Sequence, residues 1–186
     1  MIEDRIKKLR DNFDKYQIDG YVVPKNDEYF SEYSEINRIK TISNFSGSAG
    51  IAVILKKKNY LFVDGRYTLQ AKIESGKNFI LVSYDKIINC NLFKNLTLGI
   101  DSKLLTSSQV KSYFSKYNKI KIIDNNLIDK IKMFPLKKSR PFYSLDNKIV
   151  GRSHFSKLIQ IASYLQKKKA DYIFISAPEN VAWILN

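Results

Sequence analysis

In the run Asp64-Gly65-Arg66-Tyr67, Arg66 is the side chain best suited to meet a ligand. A guanidinium is a planar fork of charged donors that matches a carboxylate or a carbonyl oxygen. This one follows a glycine turn at the end of an apolar run, where a scaffold presents functional side chains. The alternative is a structural ion pair, with Asp64 or with a glutamate of the 28–35 segment. Asp64 itself is read as ordering the turn. Phe45 and Tyr67, as lone aromatics, are read as core residues. Glu28, Glu32 and Glu35 form a local acidic cluster that pairs with Arg38 and nearby lysines at the surface or orders a loop at an interface.

Other chemistries find little support. A hydrolytic metal site needs several converging His, Asp, Glu or Cys ligands, and the chain has one histidine, His154, read as a solvated or capping imidazole. No nucleophile-elbow pattern accompanies it. Cys90 is the only cysteine, which excludes an intramolecular disulfide and a thiolate metal cluster and fits a reducing, cytoplasmic compartment. Gly47-Ser48-Ala49-Gly50 lacks the spacing of phosphate-binding loops and precedes a strand. Its small residues are read as supplying positive φ and close approach of another backbone. Asp64, Asp101 and Asp124 each close a predicted strand, as the carboxylates of Mg²⁺ nucleases do; the plainer reading is that aspartate starts turns and caps helices.

These residues need elements to position them. Residues 51–55 (IAVIL) and 60–63 (YLFV) alternate around Lys56-Lys57-Lys58 and predict a β-hairpin, followed by an amphipathic helix over 67–73. Upstream, Ile2, Ile6, Leu9 and Phe13 make one apolar stripe on a helix ending near Tyr16. A strand at 21–23 stops at Pro24, and 25–38 reads as a long ordered loop. Downstream come strands at 79–82, 96–100 and 120–123, and a weak helix at 87–93. A helix capped by Ser107 or Ser108 carries Val110, Tyr113, Phe114 and Tyr117, and a last short helix carries Leu127, Ile128 and Ile131. The pattern predicts an α/β domain with a mixed sheet flanked by helices. Around 133–152 the texture changes, with Pro135, Pro141 and Lys137-Lys138. The expected organisation is one domain over 1–135, a linker over 136–152, and the incomplete start of a second, similar unit over 153–186. There Phe155, Leu158, Ile161 and Leu165 mark a helix, 172–175 a strand, and 181–185 a further apolar run.

The net charge of +14 invites a nucleic-acid-binding reading. Only six of the 32 basic residues are arginine, however, whereas phosphate and base recognition favours the arginine fork. The runs Lys56-Lys57-Lys58 and Lys167-Lys168-Lys169 fall at a predicted turn and a helix end, so solvated surface is the preferred reading. The first 13 residues are charged throughout, without the apolar core of a signal peptide, and no apolar run approaches membrane-spanning length.

The stretch FSGSAG, then a hairpin, then DGRYTLQA resembles the N-terminal domain of the aminopeptidase P branch of the creatinase and prolidase family. Val23-Pro24 with Asp27-Glu28 and Glu32-Tyr33 is similar to a segment of those enzymes, and SAPENVAWILN at the end resembles the opening of their second domain. There the family continues into Arg-Gly; this sequence stops at Asn186. The resemblance implies the non-catalytic N-terminal portion of an Xaa-Pro aminopeptidase, a homodimer acting on peptides with proline second. Two Mn²⁺-type ions would lie in a catalytic domain outside this chain, with no metal bound here. It also implies that Arg66 faces the substrate cleft, with Phe45 and Tyr67 beside it, and that Gly47 to Gly50 approach the catalytic domain. A nucleic-acid-binding module and a Mg²⁺ nuclease using Asp64, Asp101 and Asp124 are the alternatives.

Overall fold

The computed structural model describes residues 1–31, 34, 36–134 and 141–186. The chain forms two compact units, Met1–Glu28 with Glu32–Pro135, and Tyr29–Ser31 with Leu136–Asn186.

The first unit is built on six strands: β1 (Gly20–Pro24), β2 (Gly50–Leu55), β3 (Asn59–Val63), β4 (Ile80–Ser83), β5 (Thr97–Ile100) and β6 (Lys119–Ile122). Their order in the sheet is β4-β3-β2-β1-β5-β6. β2 pairs antiparallel with both β1 and β3, whereas β3–β4, β1–β5 and β5–β6 are parallel, so the sheet is mixed as expected. The Lys56-Lys57-Lys58 turn joins β2 to β3 with Ile54 opposite Asn59. Successive side chains of a strand face opposite sides, and both sides are covered here. Val23, Ala52, Ile54, Leu61 and Val63 pack in one core with Ile6, Leu9, Ile39, Ile42, Phe45 and Ile128. Val22, Ile51, Val53, Tyr60 and Phe62 pack in the other with Ile87, Cys90, Phe93 and Phe114.

The helices follow their local chemistry. α1 (Ile2–Arg10) buries Ile2, Ile6 and Leu9. It ends before the expected Tyr16: the chain passes through hydrogen-bonded turns to Gln17, at φ 48°, and Phe13 is buried from that turn. Arg10, the last helical residue, donates to the Leu55 carbonyl and to Asn59 Oδ1 at 2.9 Å each, fastening the helix end to the hairpin. α2 (Arg38–Ser43) begins at the last residue of the expected loop; Asn37 Oδ1 accepts from the Lys40 amide and Asn44 closes it at φ 64°. α3 (Thr68–Ser75) follows β3 through a 3₁₀ turn, Gly65–Tyr67.

In α4 (Ser107–Val110) the cap is Thr106, not Ser107 or Ser108. Its hydroxyl accepts from the Gln109 amide and the Gln109 side chain accepts from the Thr106 amide, a reciprocal capping box. The helix continues as a π turn over Lys111–Ser115. Residues 87–93 are not helical beyond the 3₁₀ stretch Tyr84–Ile87: the Asn89 amide donates across to the Ser112 carbonyl of that turn, and the Cys90 amide is shared between the Ile87 and Tyr113 carbonyls. α5 (Leu127–Ile131) buries Leu127 and Ile128.

The second unit contains α6 (Asn147–Val150), α7 (His154–Lys168) and α8 (Pro178–Leu185). Ser153 caps α7, and Pro178 opens α8, where its missing N–H costs nothing. Lys157 is buried, donating to the Trp183 carbonyl at 2.5 Å and to Asn186 Oδ1, with its ammonium 4.5 Å from the Trp183 ring centroid. The expected strand at 172–175 is not one: among the described residues it pairs with nothing, and Tyr172 and Phe174 are exposed. Apolar alternation gives a segment strand character only where a neighbouring backbone accepts its hydrogen bonds.

Candidate functional site

The candidate site grows from the end of β3. Asp64 is extended and caps the 3₁₀ turn that follows; its Oδ1 accepts from the Arg66 amide at 3.0 Å and from Arg66 Nε at 2.9 Å. These bonds hold the Asp64 carboxyl below the usual carboxylate range. The Arg66 side chain is 73% exposed, and its Cζ lies 5.5 Å from the Tyr67 ring centroid. Arg66 is thus aimed by the Asp64 carboxylate and by the Tyr67 ring beside it.

Tyr67 connects this turn to the loop before β2. Its hydroxyl shares a 2.7 Å hydrogen bond with Ser48 Oγ. Its ring meets Phe45 edge to face, with centroids 5.9 Å apart at 77°. Phe45 is 0% exposed, so it is a core residue that supports the face through Tyr67 and does not itself line a cleft. The loop glycines answer to the same rings. A Cβ on Gly47 would sit 2.3 Å from Phe45 Cζ and 3.0 Å from Tyr67 Cδ1, and one on Gly50 would sit 3.0 Å from Phe45 Cε1. Neither glycine has positive φ; within the loop that conformation falls to Asn44. Within this chain, the close approach that these small residues permit is made by aromatic rings of the same unit and by the Phe62 carbonyl of β3.

The helix after the turn is oriented differently from the amphipathic expectation. Ala71 and Ser75 are buried and Gln70 and Glu74 half-buried, whereas Leu69 and Ile73 face solvent. Polar residues take the inner side because the Ser46 loop offers donors there: Glu74 accepts from the Ser46 amide and hydroxyl, and Gln70 joins both.

A second cluster is centred on Arg38. Arg38 Nη2 donates to Glu28 Oε1 at 2.9 Å, and its Nε and Nη2 form a fork to Asp129 at 2.8 and 3.0 Å. Burial opposes the charge on Arg38, but the two carboxylates outweigh it and raise the guanidinium's pKa. The sequence brought Glu28 and Arg38 together; Glu32 and Glu35 lie outside the described residues. Asp129 was missed, being 91 residues from its partner, and only its place on the first turn of a short helix hinted at a role.

The strand-end aspartates do not converge. Asp64 follows β3, which β2 and β1 separate from β5, the strand that precedes Asp101. At about 4.8 Å per strand that is roughly 14 Å. Asp101 is engaged by the Lys103 amide and Asn126 Nδ2. Among the described residues no three His, Cys, Asp or Glu side chains group to hold a metal ion, and His154 opens α7 in the other unit. The donor set therefore does not fit a dinuclear centre, and the nuclease reading is not favoured. Nor is a nucleic-acid interface: the two lysine runs sit at the hairpin turn and at the end of α7. No helix of the described residues is long and apolar enough to cross a membrane.

Comparison with known proteins points in one direction. The creatinase/prolidase N-terminal domain model matches residues 5–133, and a second model of the same description matches 133–186. The chain is 34% identical, over 98% of its length, to a protein of Laccaria bicolor named probable Xaa-Pro aminopeptidase P. It is 32% identical, over its full length, to Xaa-Pro aminopeptidase 1 of Dictyostelium discoideum. It spans 31% and 33% of those two relatives, about a third of their length. Among solved structures, the X-prolyl aminopeptidase from Caenorhabditis elegans, described as a cytosolic enzyme with a di-nuclear active site, superposes with a TM-score of 0.81 at 23% identity, covering 99% of this chain and 34% of that one. The Xaa-Pro dipeptidase from Bacillus anthracis gives 0.57 at 19% identity over 88% of this chain and 44% of its own. These likenesses establish the fold, and with the model match over most of the sequence they establish that the chain belongs to the creatinase/prolidase N-terminal domain family.

Proposed function

We propose that this chain is the N-terminal, non-catalytic portion of an Xaa-Pro aminopeptidase, a metallo-hydrolase that releases the residue preceding proline. The observation that carries this reading is the alignment of essentially the whole chain with about a third of relatives bearing that name. The two Mn²⁺-type ions belong to residues outside this chain, and the enzyme works in the cytoplasm as a homodimer. The domain over 1–135 forms one wall of the substrate cleft and restricts it to short peptides. Residues 136–152 link it to the second unit that begins at 153. Arg66 and Tyr67 meet the peptide, the exposed guanidinium taking a carbonyl or carboxylate oxygen, while Phe45 supports them from below. The preformed Asp64–Arg66 pair and the largely exposed Arg66 side chain favour this use.

The experiment replaces the corresponding third of the Laccaria bicolor relative with this chain and assays Xaa-Pro peptides. Release of the first residue is expected from the folded chimera and none from the 186-residue chain alone. In the chimera, Arg66→Ala lowers kcat/KM by about tenfold, equivalent to roughly 1.4 kcal/mol. Peptidase activity of the isolated chain, or a folded chimera without activity, overturns the proposal; unchanged kinetics in Arg66→Ala remove that residue from the site.

A further inference from the structure

The Ser46–Ser48 loop is held by a side chain from the second half of α3. Glu74 Oε2 accepts from the Ser46 amide at 2.7 Å and Oε1 from Ser46 Oγ at 2.6 Å. Gln70 Nε2 closes the group, donating to Ser46 Oγ at 2.8 Å and to Glu74 Oε1 at 3.1 Å. The next residue, Gly47, packs against the Phe45 and Tyr67 rings, and the one after it, Ser48, bonds the Tyr67 hydroxyl. A carboxylate is the group this arrangement requires. It meets three donors and offers none, whereas a glutamine there would turn an NH₂ toward the Ser46 or Gln70 donors. Burial pushes the Glu74 carboxyl up, but the bonds from Ser46 and Gln70, with Lys40 nearby, outweigh it and hold the group below its usual range.

We propose that Glu74 is a positioning residue for the Arg66–Tyr67 face: its carboxylate anchors the loop through Ser46, the loop fixes the Tyr67 hydroxyl through Ser48, and the Tyr67 ring sets the guanidinium beside it. The catalytic consequence rests on the proposed function; the positioning is a property of this chain and is tested without it. The anchor is complete above the usual glutamate range and is lost as pH falls through the lowered pKa.

The test is ¹H–¹⁵N NMR of the 186-residue chain across acid pH. In the native sequence the Ser46 amide proton lies downfield and titrates with a midpoint below that of an ordinary glutamate. In Glu74→Gln it moves upfield and stops titrating, and the Arg66 and Tyr67 amides shift while those of β1 and β5 stay in place. Glu74→Asp keeps the charge one methylene short and restores part of the Ser46 shift, which a purely packing role would not do. If Glu74→Gln does not fold, Gln70→Ala removes one donor and produces a smaller shift of Ser46 and Tyr67. A Ser46 amide that does not titrate, or Arg66 and Tyr67 signals unmoved in the folded variant, overturns the proposal. In an active chimera, Glu74→Gln raises KM several-fold with kcat little changed. A chimera inactive with the native sequence while the NMR shifts appear faults the functional reading alone; an active one without those shifts faults the positioning alone.

Discussion

Phe45→Ala is expected to destabilise the first unit by about 3–5 kcal/mol, the range for truncating a fully buried phenylalanine. The ring is enclosed by the Gly47 and Gly50 backbone, Ile39 and Tyr67, with the Phe62 carbonyl beside Gly50. Two of those neighbours are glycines without side chains to move into the void, so little relaxation offsets the cavity. The same change removes the edge-to-face contact that orients Tyr67. Urea denaturation followed by far-ultraviolet circular dichroism measures it: the midpoint falls while the slope is retained. A loss under about 1 kcal/mol would show that Phe45 does not hold the loop.

Asp129→Ala is expected to cost about 2 kcal/mol. Removing one partner of a buried ion pair costs about 3–5 kcal/mol when both charges are sequestered. Here Arg38 is 5% exposed while Asp129 and Glu28 are 40% and 33% exposed, so water already screens the carboxylate side and the value is discounted. The loss comes mainly from Arg38, whose Nη1 is buried without a hydrogen-bond partner even in the native chain and whose Nε would join it. The double variant Arg38→Met/Asp129→Ala is therefore expected to be more stable than Asp129→Ala alone, because an apolar side chain replaces a stranded charge. A denaturation series in which the double variant is the less stable of the two would show that the cluster is stabilised by packing and not by charge compensation.

The hairpin, the apolar stripe of α1 and the strand segments were legible because their signals are local: alternation over five residues, or recurrence at three and four. The elements misplaced were those whose backbone bonds go elsewhere. Asn89 donates across to the π turn and Cys90 divides its amide between Ile87 and that turn, so a helical composition at 87–93 yields no helix. Residues 172–175 have strand composition but no ladder partner among the described residues. The exposed Leu69 and Ile73 show the same limit for orientation: α3 turns Gln70 and Glu74 inward because a loop 24 to 28 residues away presents donors to them.

By itself the sequence determined the α/β class, the family motifs and the turn at Asp64-Gly65-Arg66-Tyr67, since each is written in contiguous residues. Tertiary structure alone decided that Phe45 is core, that the loop glycines make room for aromatic rings, that Asp129 neutralises Arg38 and that Glu74 anchors Ser46. Those facts depend on which side chains meet across 20 to 90 residues of chain, and that is settled by how the sheet and helices pack rather than by local pattern.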